Sequence, residues 1–101
     1  MKREALAAHW DHEVRRFAHL LGLGHWKIVT VVADCLDGAT LAEVERDCDI
    51  VVAVVKIRID ATRRSKRTVS KWALHEVVHI MLRALWVPVE EEVCRRLEHL
   101  L

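Results

Sequence analysis

The chain has 101 residues, a formal net charge of +1 and three cysteines, Cys35, Cys48 and Cys94. That length makes one domain, 1–101, with a core large enough to fold without disulfides. The near-neutral charge names no nucleic-acid or membrane surface as a partner. Widely spaced cysteines in odd number, with no C-x-x-C pair, read as reduced thiols in a cytoplasmic protein.

Met1-Lys2-Arg3-Glu4 leads into an amphipathic pattern rather than an apolar leader, so no signal peptide is expected. Residues 2 to 21 read as a helix, with Leu6, Trp10, Val14, Phe17, Leu20 and Leu21 at three- and four-residue steps and Glu13, Arg15 and Arg16 facing away. Gly22 and Gly24 stop it. His9, His12 and His19 on this helix read as polar surface residues. His25 to Val32 is rich in β-branched residues and reads as a strand, and Asp34 to Gly38 as a turn. Thr40 to Arg46 gives a weaker strand, with Glu43 and Glu45 on one face and Ala42 and Val44 on the other. After the Asp47-Cys48-Asp49 corner, Ile50 to Ile59 is the strongest strand, its far end alternating Val55, Ile57 and Ile59 inward with Lys56 and Arg58 outward. Short turns between consecutive strands imply an antiparallel meander. The apolar run Ile50 to Val55 is far too short to span a bilayer.

Asp60 to Arg67 is a polar loop with four basic residues, read as solvated. Ser65 or Thr68 supplies the cap of the next helix. That helix weakens near Arg83, because the residue before Pro88 disfavours the α region. Pro88 suits the start of a last helix, residues 89 to 101, with Val93, Cys94, Leu97, Leu100 and Leu101 on one face.

The second helix carries His75-Glu76-Val77-Val78-His79, an H-E-x-x-H run. Residues i and i+4 share a helix face, so both imidazoles can aim a ring nitrogen at one metal ion, at roughly 2.0–2.1 Å for zinc. Glu76 is rotated about 100° from His75, within reach of a water on that metal without being a ligand. This spacing supplies two neutral nitrogen donors and a carboxylate that takes a proton from acidified water. The bland alternative is a buried helix with two hydrogen-bonded histidines. The surrounding W-A-L-H-E-V-V-H-I-M-L-R-A-L is apolar nearly all round, however, and there two histidines and a glutamate are costly without partners. A catalytic zinc usually takes a third protein ligand. The centre of the apolar face of the last helix points toward Glu90, which is the preferred third ligand. Glu98, at the edge of that face, lies opposite the histidines instead if the motif helix runs on to Trp86. Glu90, Glu91 and Glu92 also suit a helix N-terminus without any metal.

The order of helix, W-x-I strand, hairpin, H-E-x-x-H helix and glutamate helix resembles the minimal gluzincin-type zinc metallopeptidases, the small putative metallopeptidases of phages and the peptidase core of the ImmA/IrrE group. Only H-E-x-x-H is a specific motif. The run Glu90-x-x-Val93-Cys94-x-x-Leu97-x-x-Leu100-Leu101 is similar to the ligand helix of that last group. The resemblance implies His75, His79 and Glu90 as zinc ligands and Glu76 as general base. The chain departs from the pattern in having no tyrosine to stabilise an oxyanion, which leaves His12, His25 or Arg83 for that role. Cys94 stands where larger gluzincins carry a carboxylate that orients a ligand histidine.

The resulting expectation is an α+β minimal zincin core: an N-terminal helix, a three-stranded antiparallel sheet, the motif helix and a C-terminal glutamate helix. The expected activity is zinc-dependent hydrolysis of a peptide or protein substrate, with an extended substrate paired to a sheet edge. One alternative is a non-catalytic or weakly active zinc-stabilised interaction module. Another is a nucleic-acid-binding module using Arg63, Arg64, Lys66, Arg67 and Lys71.

Overall fold

Apolar residues at helical spacing pull the first eighteen-residue helix, α1 (Arg3–Leu20), onto the core through Leu6, Trp10, Val14, Phe17 and Ala18. The computed structural model describes residues 1–36, 40–47, 50–83 and 90–100, without the side chains of residues 83 and 90–93. Strands β1 (Lys27–Ala33), β2 (Ala42–Asp47) and β3 (Val52–Arg58) follow, then a short 3₁₀ helix (Ile59–Arg63), α2 (Lys66–Arg83) and α3 (Glu90–Glu98). The fold is α+β, three helices with one three-stranded sheet. Residues 37–39 of the expected turn, 48 and 49 of the corner, and the 84–89 stretch with Pro88 lie outside the described residues.

The sheet departs from the expected antiparallel meander. Its order is β1-β3-β2. Strand β3 pairs parallel with β1, from Lys27 against Val52 to Ala33 against Arg58. It pairs antiparallel with β2, from Ala42 against Ile57 to Asp47 against Val52. Burial explains the placement. Ala53, Val55 and Ile57 of β3 are fully buried, so this strand gains most from two neighbours and takes the centre. The charged β2 (Glu43, Glu45, Arg46, Asp47) tolerates an edge, where unpaired backbone stays wet. Lys56 of β3 reaches across to Glu45 at 2.9 Å and Glu43 at 3.9 Å.

The end of α1 also differs from the pattern. Gly22 adopts φ 76°, Leu23 N–H donates to Ala18 O at 2.8 Å and Gly22 N–H to His19 O at 3.2 Å. This left-handed helix end is one that glycine adopts without a Cβ penalty. The chain turns so that Leu23, not Leu20, closes the core, and Leu20 is 66% exposed.

Glu13, expected to face away, is buried against α2. Arg16 grips its carboxylate with two hydrogen bonds of 2.7 and 3.1 Å, and Ser70 Oγ–H donates at 2.6 Å. Arg16 beside it holds the Glu13 carboxyl well below its ordinary value, at about 2, against the opposing effect of burial. His9 Nε2 lies 3.0 Å from Lys66 O and 3.1 Å from Ser70 Oγ, so this histidine bridges α1 to α2 rather than sitting idle on the surface. Trp10 adds a buried hydrogen bond from its indole N–H to Val55 O at 3.0 Å. Together these contacts press α1 and the sheet against the helix that carries the H-E-x-x-H run.

Candidate metal centre

Helix α2 begins at a defined cap. Ser65 Oγ accepts the Thr68 N–H at 3.1 Å, so Ser65 is the capping residue and Thr68 the capped one. From there Val69, Ala73, Val77, Val78 and Ile80 are fully buried, which fixes the rotation of the helix. His75 and His79 then fall together on one half-buried flank, ring centroids 4.9 Å apart and planes at 61°. Glu76 is buried, 8% exposed.

Helix α3 packs along α2 and brings Cys94, fully buried, to the histidines. One donor atom from each of His75, His79 and Cys94 lies within 4.8 Å of the others, so the three could hold a metal ion. A tetrahedral ion with bonds of 2.0–2.3 Å holds its donors about 3.3–3.6 Å apart. Small side-chain rotations therefore close the set, and imidazole with thiolate is a donor chemistry that zinc accepts. The residues fit the ion.

Glu98, one turn beyond Cys94 on α3, approaches His75 Nδ1 with Oε2 at 2.9 Å. A carboxylate at Nδ1 draws the imidazole proton to that nitrogen, which leaves the Nε2 lone pair for a metal. Glu98, the alternative third ligand, thus meets the His75 imidazole at Nδ1. Glu90 opens α3, but its side chain, like that of Arg83, lies outside the described residues.

Of the three donors, His75 lines a cleft of about 310 Å³, together with Leu41, Ala42, Trp72, Glu76, Arg95 and Glu98. His12 is exposed on α1, and His25, also exposed, precedes β1. Neither lines this cleft. Among the described residues, Arg95 is the cation that does, and sequence reasoning passed over it because only the packing of α3 sets it there. Cys94 left one readable trace: Cys94 and Glu98 repeat on α3 the four-residue step of His75 and His79 on α2.

No protein-family model, curated protein or solved structure matches this chain. Among the described residues, no helix is long and apolar enough to cross a membrane.

Proposed function

We propose that this chain is a zinc-dependent metallopeptidase with a minimal gluzincin-like centre, in which Cys94 joins His75 and His79 as a zinc ligand. The observation that carries the reading is the His/His/Cys cluster, one member of which, His75, lines a cleft together with Glu76. Three protein donors and one open side are what a catalytic zinc requires, whereas a structural zinc is closed by four.

Bound there, zinc supplies Lewis acidity toward a carbonyl oxygen and makes water acidic enough to lose a proton near neutral pH. Glu76 takes that proton and returns it to the leaving amine. Glu98 holds the His75 ring in its ligand orientation. Arg95, at the same cleft, offers positive charge to the oxyanion in the role that tyrosine cannot fill in this chain. An extended peptide is expected to pair with β2, the edge strand packed beside α2.

The zinc-stabilised interaction module remains a second reading, because a thiolate and two imidazoles also serve structural zinc sites. Elemental analysis of purified protein separates the possibilities. One zinc per chain is expected, lost in His79→Ala and lost or strongly weakened in Cys94→Ser. Loss in Glu90→Gln with retention in Cys94→Ser would return the third position to Glu90. Zinc-free wild type after zinc loading and dialysis would end the metalloenzyme reading. One zinc per chain with no hydrolysis of a denatured protein substrate would favour the structural module.

A further inference from the structure

A second cleft, of about 520 Å³, lies at the far end of β3 and is lined by Leu41, Arg58, Asp60, Arg63 and Arg64. Leu41 lines both this cleft and the one at the candidate metal centre. It sits just before β2, its carbonyl accepting the Arg58 N–H at 2.8 Å, so the two clefts meet at the start of the edge strand. The charge in the second cleft is unbalanced. Asp60 is committed to Arg58, which grips it at 2.6 and 2.8 Å. That pair cancels, leaving Arg63 and Arg64, both exposed. Among the described residues, no carboxylate other than Asp60 lines the cleft.

We propose that the Arg63–Arg64 cleft is a subsite for acidic side chains, so that the peptides drawn to the metal centre carry glutamate or aspartate to one side of the bond presented there. This rests on the peptidase reading for its direction but not for its binding. Guanidinium forks match carboxylates in a way that ammonium groups do not. A chain lying along β2 passes Leu41 and delivers one flank to the arginines while another part lies at Trp72, His75 and Glu76. The remaining basic residues of this run, Lys66, Arg67 and Lys71, belong to α2 and do not line the cleft. The pocket therefore fits a few carboxylates better than it fits a continuous phosphate backbone.

The test uses the zinc-loaded, full-length Glu76→Gln protein, so that binding is read without cleavage. Three short fluorescein-labelled alanine-based peptides, with paired glutamates, glutamines or lysines toward one end, are titrated by fluorescence anisotropy. The glutamate peptide should bind about tenfold more tightly than the glutamine peptide, with the lysine peptide weakest. The advantage should shrink with added salt and vanish when Arg63→Gln and Arg64→Gln are added together, zinc content being unchanged. Equal binding of the three peptides, failure of all to bind included, overturns the proposal, as does an advantage that survives the double substitution. Tighter binding of a short DNA duplex through the same two arginines also overturns it, in favour of nucleic-acid recognition. Arginine-dependent glutamate preference without hydrolysis by the wild type would sink the peptidase reading and leave the subsite standing. Hydrolysis without that preference would do the reverse.

Discussion

Glu98 shows how far one side chain's role depends on its partner atom. As a direct ligand it would compete with water for the open side of the centre. As an acceptor at His75 Nδ1 it would set which nitrogen is left to face a metal ion. Glu98→Gln should therefore keep one zinc per chain but weaken its retention roughly 10–100-fold in a chelator competition. Complete loss would instead make Glu98 a ligand. Glu76 is separable by the same logic. Glu76→Gln should leave zinc content intact and lower peptide hydrolysis roughly 10²–10⁴-fold, the usual contribution of a general base. His75, Glu76 and His79 could be read from five consecutive residues, because a helix converts their spacing into geometry. Cys94 could not, because its four-residue step to Glu98 shows no partner until a second helix sets it beside the histidines.

At the scale of elements, α1 and α2 are joined by a buried polar cluster as well as by apolar packing. The Glu13 carboxyl is held at about 2, below its ordinary value of 4.5, so the unfolded chain takes up this proton at a higher pH than the folded one. The stabilisation is complete above about pH 5 and is lost as pH falls toward 2; at neutral pH it is on the order of 3 kcal/mol. Glu13→Gln should lower the urea midpoint at pH 7 and flatten the fall in stability between pH 5 and 3, measured by circular dichroism. The turn into β3 makes a second case. Val51 stands at φ 57°, a region that a β-branched residue enters only under strain. Val51→Gly should relieve that strain and raise stability by about 0.5–1 kcal/mol. Its carbonyl, which accepts the Lys27 N–H at 2.9 Å, is kept in the variant.

For the molecule as a whole, the three candidate donors come from two successive helices, α2 and α3, so a bound ion would tie α3 to the body of the fold. An ion that binds only the folded state adds about 2.7 kcal/mol at a hundred times its dissociation constant. For a domain of this size that is a rise in thermal midpoint on the order of 10 °C or more. Saturating zinc should produce such a rise in the wild type and none in His79→Ala. An equal rise in both would place the zinc elsewhere.

The sequence by itself determined the elements and most of their bounds, because helical and strand periodicities are local and strong: α1, the three strands and the motif helix all fall close to where their apolar patterns put them. It also determined the histidine pair and the glutamate beside it. Only the tertiary structure decided strand order, since the most apolar strand took the centre and turned an expected meander into a mixed sheet. Only there did Glu13 find the partners that let a carboxylate be buried. The side chains that α3 brings to the candidate centre, Cys94 beside the histidines and Glu98 against His75, depend on how α3 lies along α2. That placement is set by contacts between elements, to which no local pattern of residues is sensitive.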